Sequence, residues 1–177
     1  MIRCYVTDRR QGDLLVSVKA AVHDGVEIIQ LREKDLDARQ LFDLLCRVRD
    51  TAAGSRTKVL VNDRLDVALA AGVDGVHLPG HGLPTARIRP FVTTLGRSIH
   101  SAEEGIEAAR DGADFVIFGP IFESPGKKPV GLDALRAVTA AVKIPVLAIG
   151  GITHENTTLV VEAGAAGIAA IRLFQKD

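Results

Sequence analysis

The chain has 177 residues, 47% hydrophobic and 25% charged, with 22 Lys and Arg balanced by 22 Asp and Glu. That composition predicts one domain, residues 1–177, with enough apolar mass for a real core. Zero net charge argues against nucleic acid or an anionic membrane as a global partner, and the lack of Trp, with a single Tyr, argues against a base-stacking platform. No apolar run reaches membrane-spanning length, and no signal peptide precedes the first strand-like run. Cys4 and Cys46 are too few and too dispersed for a disulfide framework or a metal-ligand spacing. A reducing cytoplasm is the expected setting.

Runs rich in β-branched residues recur in chain order: Ile2–Thr7, Glu27–Arg32, Lys58–Asn62, Gly75–Leu78, Arg97–His100, Phe115–Gly119, Pro145–Gly150 and Gly167–Ile171. Between them, helical periodicity puts Leu14, Val18 and Ala21 on one face, then Leu41, Leu44, Leu45 and Val48. Ala102, Ile106 and Ala109 follow, then Leu132, Leu135 and Val138, then Leu159, Val160 and Ala163. Strand–helix alternation implies a parallel sheet with right-handed crossovers. A repeat narrows the choice. Gly25-Val26-Glu27-Ile28-Ile29 matches the segments beginning at Gly72, Gly112 and Gly164, each before an even-numbered strand. Each glycine is placed to take a left-handed conformation after a helix. A two-strand unit repeated four times predicts a closed (β/α)₈ barrel in the α/β class. An open doubly wound sheet would carry a Gly-rich turn after its first strand, and Thr7-Asp8-Arg9-Arg10-Gln11-Gly12 has none. The last run ends near Ile171, which leaves one turn at most where an eighth helix should lie. Leu173 and Phe174, or the partner in a homodimer, are expected to cover the apolar gap between the first and seventh helices.

In such a barrel the C-terminal strand ends share one mouth, where the chemistry sits. The second run ends in Gln30, Arg32 and Lys34, two apart and so on one face. The third offers Asn62 and Asp63, the fourth His77, and the fifth Ser98 and His100. The sixth is followed by Ser124 and Lys127, the seventh by Gly150 and Gly151, and the eighth by Arg172. Cations outnumber acids here although the chain is neutral, which points to small phosphorylated molecules. Two anion sites are expected. Gly150-Gly151 leads into a helix capped by Thr153, with Arg172 closing the pocket by a bidentate fork. Arg32, Lys34, Ser98 and Lys127 can surround a more highly charged group such as a diphosphate. Asp63, with Asn62 beside it, offers hard oxygen ligands for Mg²⁺, or else pairs with Arg32 or Arg64. His77 and His100 are open to two roles, a satisfied polar group or an acid–base catalyst.

Five pieces, Gln30-Leu31-Arg32-Glu33-Lys34, Asn62-Asp63-Arg64-Leu65-Asp66, Gly75-Val76-His77-Leu78, Gly119-Pro120-Ile121-Phe122 and Ala148-Ile149-Gly150-Gly151-Ile152, fall in order on the expected strand ends. In them the chain resembles the thiamin phosphate synthase family, which includes the thiazole tautomerases. The resemblance implies a barrel enzyme of thiamin biosynthesis that joins hydroxymethylpyrimidine diphosphate to thiazole phosphate and releases pyrophosphate. It implies that Gln30, Arg32 and Lys34 hold the pyrimidine diphosphate, and that Asn62, Ser98 and Lys127 hold the pyrophosphate. Asp63 would bind Mg²⁺, and Gly150 and Gly151 the thiazole phosphate. Three positions depart from the family pattern. Gly82 stands where a second Mg²⁺-binding Asp is usual, Ser124 and Gly126 replace two Thr, and Arg172 replaces a Ser. The first two weaken the diphosphate half of the site and the third strengthens the phosphate half. Two alternatives therefore stand beside the synthase: a thiazole tautomerase using His77, His100 or Glu123 as acid–base group, and a non-catalytic barrel that binds thiamin-type phosphates.

Overall fold

The structure, a computed structural model, describes residues 1–176. Eight parallel strands close a barrel in sequence order: β1 (Ile2–Val6), β2 (Ile28–Leu31), β3 (Lys58–Asn62), β4 (Gly75–Leu78), β5 (Thr94–Ile99), β6 (Phe115–Phe118), β7 (Val146–Ile149) and β8 (Gly167–Ala170). Seven helices connect them: α1 (Leu14–His23), α2 (Ala38–Ala52), α3 (Leu65–Ala71), α4 (Thr85–Ile88), α5 (Ala102–Arg110), α6 (Gly131–Ala141) and α7 (Thr157–Glu162). None of them is long and apolar enough to cross a membrane.

Local chemistry sets several helix starts. The Asp13 carboxylate accepts from the Leu15 and Val16 amides, Asp37 forms a reciprocal capping box with Gln40, and the Ser101 hydroxyl accepts from Glu104 N–H. Stops are equally local. Gly25, Gly72, Gly112 and Gly164, the glycines of the fourfold repeat, all have positive φ, between 64° and 95°.

Strand alternation then sorts the side chains. Outward-facing Ile29, Leu31, Val59, Val61, Val76, Leu78 and Leu95 pack under α1, α2 and α3 in one apolar cluster. Val116, Phe118, Val146, Ala148 and Ile168 pack under α5, α6 and α7 in a second. Inside the barrel lie Cys4, Val6, Ile28, Leu60, Phe115, Ile117, Leu147 and Ala169. Along most of their length the strands are thus apolar on both faces, as expected for parallel strands covered by helices.

Two helix faces differ from the periodicity reading. In α5 the buried positions are Gly105 and Ala108, and Ile106 is half exposed. The reason is close approach: a Cβ on Gly105 would lie 2.5 Å from Val142 and 2.9 Å from Ile99, so the helix packs through its smallest residue. In α7, Val160 and Ala163 are buried while Leu159 faces outward. That helix also starts later than expected. Its N-cap position is Asn156, not Thr153, because the Asn156 side chain closes the preceding turn, donating to Gly151 O at 2.8 Å and accepting from Thr153 N–H at 2.9 Å. β5 begins at Thr94, three residues before the β-branched signal.

Among the described residues no eighth helix follows β8. Residues 171–176 run back across the barrel wall instead. Phe174 packs against both outer clusters, with its ring 6.0 Å from that of Tyr5, and Leu173 packs against the second cluster. Tyr5 O–H donates to Gln175 Oε1 at 2.9 Å, and Lys176 N–H donates to Ser17 Oγ at 2.9 Å.

Candidate active site

At the C-terminal end of the strands the inward positions change character. On β2 the inward Ile28 is followed by Gln30, and on β3 Leu60 is followed by Asn62. On β4 and β5 Gly75 and Gly96 are followed by His77 and Ser98. These four polar side chains form one wall of a cavity of about 290 Å³. Val6, Ile99, Ile117, Ile149 and Ile171 make the apolar part, and Arg32, Lys34, His100 and Lys127 stand around it. No carboxylate is among its lining residues. Among the described residues Arg32, Lys34 and Lys127 make no ion pair, although Arg3, Arg9, Arg10, Arg39, Arg49, Arg64, Arg89, Arg110 and Arg136 all do. A cavity that gathers three free cations on a neutral protein is built for an anion.

The polar wall is pre-arranged. His77 is buried, and its Nε2 lies 2.9 Å from Ser98 Oγ. Its Nδ1 has no partner and lies 2.5 Å from where a Gly96 Cβ would sit, with the Phe115 ring alongside at 5.8 Å between centroids. Only glycine at 96 lets His77 and Phe115 share that space. A buried N–H without an acceptor costs more than a buried lone pair without a donor, so Nε2 carries the proton and donates to Ser98. The Ser98 hydroxyl proton is then free to be given to a ligand. Burial first, then the nearby Arg97 and Arg32 charges, push the His77 pKa from 6.5 down to about 3. His77 is therefore a neutral positioning group here, not a proton shuttle. Gln30 is also buried, and its amide nitrogen has no partner. It is a donor left for a ligand acceptor.

The depressed His77 pKa carries a stability cost in acid. Between pH 6.5 and about 3 the unfolded chain binds a proton that the folded chain refuses, so stability falls as pH is lowered through 6.5. At pH 5 the loss from this group is about 2 kcal/mol. Urea unfolding of wild type should show that loss between pH 7.5 and pH 5, and the His77→Gln variant should not. An equal pH dependence in the two proteins would mean that water reaches the imidazole.

Five residues expected at the site lie outside this lining. Asp63 has a left-handed backbone, φ 65°, and lines an adjoining cavity of about 240 Å³ with Glu33, Lys34, Asn62, Arg64, Pro79 and His81. It pairs with neither Arg32 nor Arg64; Arg64 is taken by Asp66. Ser124, Gly150, Gly151 and Arg172 are likewise not in the lining. Gly150 and Gly151 have φ of 97° and 64°, and side chains there would collide with Pro120 and with Phe122 and Glu123 O. These glycines admit the loop after β6, whose Ile121 and Phe122 amides donate to Ile149 O and Gly150 O. Ser124 belongs to that loop, with its hydroxyl 3.4 Å from Phe122 O. Arg172 is exposed and unpaired among the described residues. Pro79, Gly80 and His81, which follow the fourth strand in the sequence and to which the sequence assigns no role, also line the cavity through the β4–α4 turn.

The model of one family, thiamine monophosphate synthase, matches residues 4–174. The chain belongs to the thiamine monophosphate synthase family. A relative from Geobacter sulfurreducens is 44% identical, over 97% of this chain and 85% of its own, and its name assigns it provisionally to thiamine-phosphate synthase. A thiamine-phosphate synthase from Desulfitobacterium hafniense is 38% identical over 97% of this chain and 89% of its own. Among solved structures, a thiamine phosphate pyrophosphorylase from Pyrococcus furiosus superposes with a TM-score of 0.90 at 35% identity, covering 99% of this chain and 89% of that one. In this chain Gly82 lies in the β4–α4 turn. A Cβ there would lie 2.9 Å from Pro79 Cδ and 3.2 Å from Asp63 Oδ1, so a carboxylate at position 82 would stand beside Asp63 once Pro79 shifts to admit it.

Proposed function

We propose that this chain is a thiamin phosphate synthase, joining hydroxymethylpyrimidine diphosphate to thiazole phosphate with release of pyrophosphate. The observation that carries the reading is the carboxylate-free cavity holding Arg32, Lys34 and Lys127 unpaired, in a member of this family. Arg32, Lys34 and Lys127 hold the diphosphate, helped by Asn62 and by the Ser98 hydroxyl. Gln30 donates to the pyrimidine. The Val6, Ile117, Ile149 and Ile171 surface covers the ring and keeps water from the reacting carbon. As the bond from the methylene carbon to the diphosphate oxygen breaks, both electrons leave with pyrophosphate, and the three cations stabilise that charge where it develops. The thiazole nitrogen then forms the new C–N bond at short range, with Gly150, Gly151 and Arg172 as the grip on its phosphate. No protein nucleophile is required.

The residues present fit a Mg²⁺ ion that arrives with the diphosphate. Asp63 and the Asn62 amide oxygen supply hard donors, and Mg²⁺ commonly takes one or two carboxylates, with substrate phosphates and water completing its octahedron. Among the described residues no three His, Cys, Asp or Glu side chains cluster to form a cage. Bound there, the ion would neutralise charge on the leaving group.

A second reading, thiazole tautomerase, is favoured by one observation: Gly82 supplies no second carboxylate beside Asp63 Oδ1, while His100 stands at the mouth as an acid–base candidate. One experiment separates the two. Incubation with pyrimidine diphosphate, thiazole phosphate and Mg²⁺ should yield thiamin phosphate. EDTA or Asp63→Ala should abolish the product, and Gly82→Asp should raise the rate at limiting Mg²⁺. Isomerisation of a thiazole carboxylate phosphate that survives EDTA, with no thiamin phosphate at saturating Mg²⁺, would replace the synthase assignment with the tautomerase.

A further inference from the structure

The segment Arg32-Glu33-Lys34-Asp35 alternates two cations with two acids, yet the two cations reach the mouth unpaired. The structure shows where the acids go. Glu33 is buried, and Thr7, the residue after β1, is fully buried beside it. Thr7 Oγ1 donates to Glu33 Oε1 at 2.6 Å and accepts from the Arg32 backbone N–H at 3.0 Å. The Thr7 amide donates to Gln30 O at 3.0 Å. Arg9 N–H donates to both Glu33 oxygens, at 3.1 and 3.3 Å, and Arg9 Nη1 to Oε2 at 3.1 Å. The same guanidinium forks onto Asp35, with both bonds at 2.7 Å.

The geometry points to Thr7, Arg9 and Glu33 as the positioning residues of the diphosphate grip, an inference that rests on the synthase reading above. They do two things. The Thr7 hydroxyl fixes the peptide that carries Arg32, the only such side-chain bond to the β2 exit among the described residues. Arg9 and Thr7 together hold the Glu33 and Asp35 carboxylates on the side away from the cavity. Glu33 sits between Arg32 and Lys34 in the chain. Released from its buried site, it has those two cations as its nearest counter-ions, and pairing with either would neutralise the mouth. The Thr7 hydroxyl is central because it both donates to the carboxylate and accepts from the Arg32 peptide. Removing it strands the Arg32 N–H and takes from Glu33 Oε1 its shortest hydrogen bond, leaving that oxygen only the Arg9 amide.

Calorimetric titration with inorganic pyrophosphate and Mg²⁺ tests this without relying on turnover, using wild type, Thr7→Val, Thr7→Ser and Arg9→Met. Thr7→Val should weaken pyrophosphate binding about 5- to 30-fold, Arg9→Met should weaken it in the same direction, and Thr7→Ser should restore it. In steady-state assays the KM for the pyrimidine diphosphate should rise in the two weakened variants and that for thiazole phosphate should stay nearly unchanged. If Thr7→Val does not fold, Arg9→Met decides, since Arg9 lies on a partly exposed turn and its loss leaves the Thr7 bonds in place. Folded variants that bind pyrophosphate as wild type does, or that lose both substrates equally, would overturn the positioning role alone. Wild type that fails to bind pyrophosphate would overturn the diphosphate reading and this inference with it.

Discussion

Replacing Arg32 with alanine should lower kcat for thiamin phosphate formation by about two to three orders of magnitude, the usual scale for losing one preorganised donor to a developing charge. The physical argument is that Arg32 is free. It forms no ion pair among the described residues and borders a cavity without carboxylates, so its charge is available when the diphosphate oxygen takes up the electron pair. Arg32→Lys keeps the charge but loses the planar fork and should recover only part of the rate. The measurement is single-turnover formation of thiamin phosphate at saturating substrates, which separates the chemical step from binding. A variant that loses KM but keeps kcat would mean that Arg32 binds the substrate and its transition state equally, and that Lys127 and Lys34 carry the charge stabilisation.

Alanine at Gly75 should cost at least about 3 kcal/mol of folding stability, a large part of the roughly 5–15 kcal/mol a domain of this kind has. Gly75 opens β4 and pairs with Thr94 on β5, and an added Cβ would fall on the Thr94 carbonyl oxygen. A side chain could rotate away, but a carbonyl in a closed barrel cannot. The strands must separate, and in a closed sheet that strain reaches every neighbour. Gly167 at the start of β8 is in the same position, facing the Ile2 carbonyl across the β8–β1 seam that closes the barrel. Both variants should be recovered mainly as insoluble protein, and any soluble fraction should unfold at clearly lower urea. Near-wild-type midpoints would show that the seams have slack that the strand spacing does not suggest.

Much of this molecule is readable in the chain itself because the relevant physics is local. Period-two alternation predicts that Gln30, Arg32 and Lys34 share one side, and all three border the cavity although β2 itself ends at Leu31. A helix that ends in the left-handed region needs Gly25, Gly72, Gly112 and Gly164 wherever it sits. Four such units in a row admit few closures other than the barrel. Helix faces were less secure, since apolar periodicity marks large side chains, and α5 packs through Gly105, where the absence of a side chain is what allows contact with Val142 and Ile99.

What the tertiary structure decided concerns residues whose partners are distant in sequence. His77 and Ser98 are 21 positions apart, and only the β4–β5 register joins them in a hydrogen bond at the cavity wall. Thr7 and Glu33 are 26 apart, and only the β1–β2 pairing buries that carboxylate and so keeps Arg32 and Lys34 unpaired. The left-handed turn at Asp63 puts its carboxylate in the adjoining cavity beside Gly82, a displacement that strand periodicity cannot encode because the strand has already ended. The glycines at 150 and 151 read as a phosphate cradle in the sequence, but the packed structure also needs them to admit the β6 loop. Local rules act through bonds and neighbours along the chain, whereas the charge of this mouth depends on which acids are kept out of it, and that is settled by contacts between strands.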